Sequence, residues 1–413
     1  MKVTITPKNL CGRISAPPSK SYAHRAIIAA CLSHGETVIK NVGTSDDVRA
    51  TVGALFDMGF DCAISGADAV IGERSHLPKD VIFCNESGST LRFLLPVAAA
   101  LGIKTEFSGE KGLMKRPINE LIAALNRNGA DINGYRINGK LKSGKFFIDG
   151  KISSQYITGL MFALPLLDGD SEIVIENGSV SGGYLDITLG VLNDFGIKVE
   201  KTERGYYVFG GQKYIAPESV TVEGDYSGAA FYLAAGAIGG SVVVEGLKSN
   251  TRQGDAKIAE ILRRFGARIT VGKDYIKAES GELSGQVVDV GDIPDLAQIL
   301  SVVAAFAKGK TVLKNTGRLK IKESDRAAAI EKTLFAAGID CKVSENEITI
   351  FGKEPQGAVF AGAPDHRTVM AQTILATYAR GVSVVENAQA VNKSYTDFFS
   401  DYKKLGGICD VDV

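Results

Sequence analysis

Two kinds of helix alternate along the chain, and the pattern of apolar and polar positions distinguishes them. The first kind begins with polar residues, is apolar on nearly every side and is followed by a β-branched strand. Six segments fit this description, at residues 21–33, 89–101, 153–167, 225–238, 295–307 and 365–380. A helix that is apolar all round must be buried on every side. The pattern therefore predicts six buried helices.

The second kind of helix is amphipathic and ends at a glycine. It occurs at residues 48–59, 118–129, 185–196, 256–266, 327–338 and 395–406, and two short strands follow each copy. Glycine just past the last periodic residue is a common C-terminal cap, because it adopts positive φ angles without strain. Since the two kinds of helix alternate in strict order, with a repeat of roughly seventy residues, we predict six copies of a βαβαββ unit.

The repeats divide the chain into two similar α/β domains of three units each, with a change of composition around residues 210–217. The sixth unit is one strand short, whereas residues 2–6 form a strand that precedes the first unit. We expect this N-terminal strand to complete the sixth unit. The predicted domains are then residues 11–215, and residues 1–10 with 216–413. Parallel buried helices would place their N-termini around a cleft between the domains.

Composition and charge exclude several classes of partner. Lys and Arg number 47 and Asp and Glu also number 47, so the chain is neutral, and a nucleic acid or an anionic membrane surface is not an expected partner. No signal peptide or apolar run of transmembrane length is recognisable. The six cysteines form no CxxC pair. We expect a cytoplasmic monomer with reduced thiols and without a metal or cofactor.

Lysine and arginine recur where helices are predicted to begin. The positions are Lys20, Arg25, Arg116, Lys322, Arg326, Arg367 and Lys393. A helix N-terminus carries a partial positive charge and disfavours cations. Singly, each could be a solvated side chain. Together they predict a ligand that carries several phosphates or carboxylates, with Asp295 and Glu323 as candidate groups for proton transfer.

Polar side chains at other helix starts extend this predicted site. Gly88 would let the backbone approach a ligand, and we expect Ser89 to cap the helix that follows. Pro117 is predicted at the first position of an amphipathic helix. Hydroxyl and amide groups that could hold phosphate or hydroxyl groups are those of Ser21, Ser153, Ser154 and Gln155. Simple capping would need fewer of them, and the loop at Ser181 could equally be a linker.

These motifs resemble the 5-enolpyruvylshikimate-3-phosphate (EPSP) synthase family of 3-phosphoshikimate 1-carboxyvinyltransferases. The family's sequence marks occur here in order as residues 20–25, 88–92, 116–117, 153–155, 294–295, 322–326 and 365–367. The resemblance implies two inverse α/β domains, each of three βαβαββ units, with the active-site cleft between them. This agrees with the repeats.

The resemblance also implies a reaction, the transfer of the enolpyruvyl group of phosphoenolpyruvate to the 5-hydroxyl of shikimate 3-phosphate through a tetrahedral intermediate. By the family pattern, shikimate 3-phosphate would be held by Lys20, Ser21, Arg25, Ser153, Ser154, Gln155, Ser181, Asp295 and Lys322. Phosphoenolpyruvate would be held by Lys20, Gly88, Arg116, Gln155, Arg326, Arg367 and Lys393. Asp295 would take the hydroxyl proton, and Glu323 with a lysine, Lys20 or Lys393, would manage protonation of the methylene carbon.

The chain departs from the family pattern at Ala23, Glu86, Arg318 and Thr396, which bears on affinity and on the expected competition by glyphosate. One alternative is the related UDP-N-acetylglucosamine enolpyruvyl transferase, which usually carries a reactive cysteine in the loop that corresponds to residues 110–115. That loop has no cysteine here. Another alternative is a non-catalytic anion-binding relative, which would not need to retain Asp295 and Glu323.

Overall fold

The computed structural model describes residues 1–177 and 182–412 of the chain. It contains two compact units, each with its own hydrophobic core. The central unit is Lys20–Val222, and the split unit joins Met1–Ser19 to Glu223–Val413. In the described part of the chain, no helix combines the length and the apolar character that crossing a bilayer requires.

Helices and strands alternate through both units. The helices are α1 (Lys20–Leu32), α2 (Asp46–Asp57), α3 (Gly88–Leu101), α4 (Lys111–Met114), α5 (Asn119–Arg127), α6 (Ser154–Ala163), α7 (Gly182–Asp194), α8 (Tyr226–Gly239), α9 (Ile258–Phe265), α10 (Ala297–Phe306), α11 (Arg326–Ala336), α12 (His366–Tyr378) and α13 (Phe398–Lys404). The strands from the N-terminus to the end of the central unit are β1 (Lys2–Thr6), β2 (Cys11–Ser15), β3 (Thr37–Lys40), β4 (Phe60–Ser65), β5 (Asp68–Arg74), β6 (Val81–Phe83), β7 (Glu106–Ser108), β8 (Ile132–Asn133), β9 (Arg136–Ile137), β10 (Lys145–Asp149), β11 (Ser171–Glu176), β12 (Val199–Thr202), β13 (Gly205–Val208) and β14 (Val220–Thr221). The remaining strands are β15 (Ser241–Glu245), β16 (Arg268–Val271), β17 (Tyr275–Glu279), β18 (Val287–Asp289), β19 (Lys310–Lys314), β20 (Asp340–Val343), β21 (Glu347–Phe351), β22 (Val359–Phe360), β23 (Ser383–Glu386) and β24 (Ile408–Asp412).

The described strands form six four-stranded sheets that share one topology. In the central unit the orders are β14-β3-β5-β4, β6-β7-β9-β8 and β10-β11-β13-β12. In the split unit they are β2-β15-β17-β16, β18-β19-β21-β20 and β22-β23-β1-β24. In every sheet the first two strands are parallel and the other two neighbouring pairs are antiparallel. This is the arrangement that six copies of a βαβαββ unit produce.

Strands from distant parts of the sequence complete three of these sheets. β1 lies antiparallel between β23 and β24, with Val3 opposite both Val385 and Val411, which is the position predicted for the N-terminal strand. β2 pairs in parallel with β15, and β14 pairs in parallel with β3. The units therefore divide after Ser19 and Val222, later than the predicted boundaries at residues 10 and 215. The reason is that β2 and β14 hydrogen-bond into sheets of the unit opposite to the one predicted.

The predicted contrast between the two kinds of helix is present. The polar-start helices α1, α3, α6, α8, α10 and α12 are buried along nearly their whole length. At the ends of the amphipathic helices, the glycines all have φ between 76° and 116°, at Gly59, Gly129, Gly196, Gly266, Gly338 and Gly406. Positive φ at this place ends a helix and satisfies its last carbonyl groups. The predicted glycine caps are confirmed.

Candidate active site

In the split unit, one buried arginine gathers three carboxylates. Arg326 is the first residue of α11 and its side chain is 1% exposed. Its Nη1 donates to Asp295 Oδ1 at 2.6 Å, its Nη2 to Glu323 Oε2 at 2.7 Å and its Nε to Asp365 Oδ2 at 2.8 Å. Such charge-assisted bonds are stronger than neutral ones, and the planar guanidinium fixes their directions. The cluster joins α11 to the residues that precede α10 and α12.

Asp295 has further cationic neighbours in this cluster. Arg367 Nη2 donates to its Oδ2 at 2.9 Å, and Lys322 Nζ lies 3.8 Å from its Oδ1. Burial alone would raise the pKa of Asp295, but the positive charges around it, that of Arg367 foremost, hold its pKa well below the usual range. Asp295 is therefore an ionised carboxylate at neutral pH, which is the form that can accept a proton.

Local sequence places these groups at the starts of helices. Asp365 caps α12 by accepting a hydrogen bond from the backbone N–H of Arg367 at 2.9 Å. Asp325 caps α11 by accepting from the N–H of Ala328 at 3.0 Å. Asp295 lies in a 3-10 turn, Pro294–Leu296, immediately before α10. Short polar residues are favoured at such positions because they satisfy otherwise unpaired N–H groups.

In the central unit, the first turn of α1 carries Lys20 and Ser21. Lys20 Nζ lies 2.6 Å from Oδ2 of Asp47, a residue in the first turn of α2, and both side chains are largely buried. Oppositely charged groups at this distance in a protected environment attract strongly. The pair fixes the start of α1 against the start of α2.

Arg25 connects α1 to two other helices of the central unit. Its Nε donates to Thr188 Oγ1 at 2.7 Å on α7, and Nη2 donates to Thr158 Oγ1 at 3.4 Å on α6. Carbonyl groups of Ser21 and Tyr184 accept at 2.6 and 3.2 Å. Burial lowers the pKa of Arg25 to about 9, so the guanidinium stays charged at neutral pH. These hydrogen bonds fix the Arg25 guanidinium between α1, α6 and α7.

Gly88 and Arg116 lie against each other, as a shared ligand site would require. A Cβ atom on Gly88 would stand 2.7 Å from Arg116 Nη1, so a larger residue would displace the guanidinium. Gln155 is held nearby on α6. Its Oε1 accepts from Arg92 Nη1 at 2.6 Å, and its Nε2 donates to Ser89 Oγ at 3.0 Å. Hydrogen bonds therefore fix both Oε1 and Nε2 of the Gln155 amide.

The other predicted site residues in the described chain are Ser153, Ser154 and Lys393. Ser153 caps α6 by accepting from the N–H of Gln155 at 3.2 Å, and Ser154 is the first residue of that helix. Helix capping alone therefore accounts for the Ser153 side chain. Lys393 ends a 3-10 turn and is 8% exposed. Ser181 lies outside the described residues.

Two local predictions were wrong. Ser87, and not Ser89, caps α3, because Ser87 Oγ accepts the N–H of Thr90 at 3.3 Å. Pro117 does not begin a helix, since α5 starts at Asn119 and the short helix α4 occupies the loop before it. For α3, two serines lie within one turn of the helix start, and the earlier one is the cap.

A bound anion was predicted to offset the cations at helix starts. For two of these cations the protein itself supplies carboxylates, Asp47 for Lys20, and Asp295, Glu323 and Asp365 for Arg326. Asp47 and Asp365 were not among the candidates. Both stand at helix starts, where an acidic residue is normally explained by capping or by the helix dipole. Because capping or the helix dipole already accounted for Asp47 and Asp365, the sequence did not indicate their pairing with Lys20 and Arg326.

Comparison with known proteins agrees with this fold. Two solved structures match over at least 98% of each chain: EPSP synthase from Acinetobacter baumannii, with a TM-score of 0.83 and 24% identity, and the enolpyruvyl transferase NikO from Streptomyces tendae, with a TM-score of 0.78 and 16% identity. At these identities the likeness shows the fold alone. The chain therefore shares the two-domain inverse α/β fold of EPSP synthase.

Sequence comparison identifies the family. The family model described as EPSP synthase (3-phosphoshikimate 1-carboxyvinyltransferase) matches residues 5–402. Relatives named 3-phosphoshikimate 1-carboxyvinyltransferase include one from Clostridium novyi, 38% identical over 99% of this chain and 98% of the relative, and one from Clostridium perfringens, 39% identical over 98% and 99%. The chain belongs to the EPSP synthase family, and it is a transferase.

Proposed function

We propose that the protein transfers the enolpyruvyl group of phosphoenolpyruvate to the 5-hydroxyl of shikimate 3-phosphate and releases phosphate. The hydroxyl oxygen adds to C2 of phosphoenolpyruvate while C3 takes a proton. The tetrahedral intermediate then expels phosphate while C3 loses a proton, which restores the methylene group. The family membership supports this reaction, and the neutral composition supports small anionic substrates rather than nucleic acid.

In the central unit, we assign substrate binding to the helix starts. Shikimate 3-phosphate is assigned to Lys20, Ser21, Arg25, Ser153, Ser154, Gln155 and Ser181. Phosphoenolpyruvate is assigned to Gly88 and Arg116, with Lys20 and Gln155 reaching both substrates. The contact of Gly88 with Arg116 supports their pairing in one subsite. Four hydrogen bonds to the protein fix the orientation of the Arg25 guanidinium.

In the split unit, we assign proton transfer to Asp295 and Glu323. Asp295 takes the proton of the attacking hydroxyl, and Glu323 with Lys20 or Lys393 moves the proton at C3. Lys322 binds shikimate 3-phosphate, and phosphoenolpyruvate is assigned to Arg326, Arg367 and Lys393. General acid–base steps of this kind contribute about 10²–10⁴-fold each.

The observation that carries the proposal is the position of the Asp295 carboxylate between two arginines. An ionised carboxylate held between Arg326 Nη1 and Arg367 Nη2 is a proton acceptor with a fixed direction. Both arginines would also attract a phosphate or carboxylate of the substrate. When these anions bind, they compete for the guanidinium groups and weaken the hydrogen bonds of those groups to Asp295. The pKa of Asp295 then rises, so Asp295 becomes a stronger base while the substrates are bound.

The test is phosphate release in the presence of phosphoenolpyruvate and shikimate 3-phosphate. We expect release that depends on both substrates and on the protein. A parallel reaction offers UDP-N-acetylglucosamine as the acceptor. Release with that acceptor and none above background with shikimate 3-phosphate would overturn the assignment. Absence of release with either acceptor would favour a non-catalytic anion-binding relative.

We also assign the protein to the cytoplasm. The cysteines of the described chain are all free thiols, four of them buried, as suits a reducing compartment. Cell fractionation with an antibody to the native protein tests this assignment.

A further inference from the structure

Two of the sequence motifs contain a buried polar residue that the proposed reaction does not use. His24, on α1, lies in the motif at residues 20–25, and Thr90, on α3, lies in the motif at residues 88–92. His24 is 1% exposed and Thr90 is fully buried. Polar side chains are buried when hydrogen bonds within the protein replace those that they would make with water. The partners of His24 and Thr90 therefore explain why both are buried.

One residue of α2 joins these two side chains. Thr51 Oγ1 lies 2.7 Å from His24 Nδ1 and 2.6 Å from Thr90 Oγ1. Thr90 Oγ1 in turn donates to Oγ of Ser87, the cap of α3, at 2.7 Å. Thr51 and Ser87 are fully buried as well. His24, Thr51, Thr90 and Ser87 thus form a buried network that connects α1, α2 and α3.

The number of available hydrogens gives the buried network one direction. A hydroxyl group has a single hydrogen to donate, and that of Thr90 goes to Ser87 Oγ. Thr51 must therefore donate to Thr90, and His24 Nδ1 must donate to Thr51. Among the described residues none hydrogen-bonds to His24 Nε2, so a hydrogen there would be a buried donor without an acceptor. Burial also lowers the pKa of His24 to about 3. His24 is therefore the neutral tautomer with its hydrogen on Nδ1.

An ion pair between α1 and α2 lies one helical turn before the contact of His24 with Thr51. Lys20 Nζ meets Asp47 Oδ2 at 2.6 Å. His24 follows Lys20 by four residues, and Thr51 follows Asp47 by four residues. Residues four apart lie on the same face of a helix. The two contacts together therefore fix the register of α1 against α2, and with it the position of Lys20.

The other end of the buried network lies beside Gly88, at the start of α3. Ser87, which precedes Gly88, accepts from the hydroxyl and from the backbone N–H of Thr90, at 2.7 and 3.3 Å. Ser89, which follows Gly88, accepts from Gln155 Nε2 at 3.0 Å. Both neighbours of Gly88 are therefore fixed by hydrogen bonds, one of them through the buried network.

We propose that the buried network positions the phosphoenolpyruvate subsite, because it sets the distance between Lys20 on α1 and the pair of Gly88 and Arg116 at the start of α3. Thr51 is its central member, since its hydroxyl bonds to both neighbouring side chains. The four side chains act through the residues that bind the substrate and do not contact it themselves. The inference rests on the proposed assignment of phosphoenolpyruvate to Lys20, Gly88 and Arg116.

The experiment compares two substitutions of Thr51 that separate hydrogen bonding from packing. Thr51→Val keeps the shape of the side chain but has no hydroxyl, whereas Thr51→Ser keeps the hydroxyl and leaves a small cavity. We expect Thr51→Val to raise KM for phosphoenolpyruvate about 5- to 50-fold, because the two sides of the subsite separate. Its kcat and its KM for shikimate 3-phosphate should change by about threefold at most. Thr51→Ser should keep KM for phosphoenolpyruvate within about twofold of the unaltered protein.

Thr373→Val is the matched control. Thr373 is a fully buried threonine on α12, and its hydroxyl donates to the carbonyl of Val369, in the same helix, at 2.9 Å. This variant loses a buried hydroxyl and should leave KM for phosphoenolpyruvate unchanged. Three results for Thr51 would overturn the proposal: no change of this KM in Thr51→Val, an equal rise of KM for both substrates, or a larger rise in Thr51→Ser than in Thr51→Val.

A second measurement does not depend on activity. The ¹⁵N NMR shifts of a histidine ring distinguish its two neutral tautomers, and the chain contains four histidines. We expect the His24 ring, identified by the loss of its signals in His24→Gln, to carry its hydrogen on Nδ1 at neutral pH. A hydrogen on Nε2 would contradict the direction of the buried network and overturn the proposal. Failure of phosphate release in the unaltered protein would instead count against the proposed reaction.

Discussion

Replacement of Arg326 by methionine should loosen α11 and α12 far more than an ordinary surface substitution would. Methionine keeps much of the apolar stem but removes the guanidinium that Asp295, Glu323 and Asp365 share. Asp365 is fully buried, so its carboxylate would lose its bond to Arg326 Nε in a place that water does not reach.

The size of the effect follows from burial. Removing one partner of a buried ion pair costs about 3–5 kcal/mol, because the remaining charge stays desolvated. A loss of 3 kcal/mol in local stability corresponds to amide exchange about 100-fold faster. Hydrogen-exchange mass spectrometry on peptides from α11 and α12 measures this directly. Arg263→Met is the matched control, since Arg263 is exposed on α9, and its cost should stay within about 0.5 kcal/mol.

The effect of the Arg326 substitution should depend on pH with a defined sign. In the native protein the pKa of Asp295 is lowered, so its contribution to stability is present above the unfolded value of 3.8 and is lost as the pH falls through the folded value. The variant loses much of this contribution, and its carboxylates accept protons at higher pH. The difference from the native protein should therefore shrink toward pH 4. Exchange rates within threefold of the Arg263→Met control at pH 7 would refute the reasoning.

Three further outcomes test other parts of the structure. Asp295→Asn should lower kcat at least about tenfold, whereas Asp292→Asn, exposed on the same loop, should not; equal rates would leave Asp295 with a structural role only. Gly88→Ala should raise KM for phosphoenolpyruvate about tenfold or more, and more than KM for shikimate 3-phosphate, because its Cβ would meet Arg116 Nη1 at 2.7 Å. Burial lowers the pKa of His24 from 6.5 to about 3, so the central unit should lose about 1.4 kcal/mol per pH unit below 6.5; thermal melts of His24→Gln should lack that component, and an unchanged slope would contradict it.

The repeat was readable from the sequence because it depends on local rules. The apolar helices, the amphipathic helices and the terminating glycines are each specified within a few residues by periodicity and by φ preference. Positive φ at Gly59 and at its five counterparts follows from this local chemistry. The placement of β1 was also predictable, because the last unit lacked one strand and the N-terminal strand preceded the first unit without belonging to it.

The boundaries between the units and the ion pairs were decided by tertiary structure. β2 and β14 carry no local sign of which sheet they join, and each pairs with a strand distant in sequence. Lys20 meets Asp47 at 27 residues' separation, and Arg92 meets Gln155 at 63. The chain holds 47 acidic residues, and local sequence does not rank them as partners for a given cation. Only the packing of the buried helices, which fixes which helix starts are adjacent, selects a partner and excludes water from the pair.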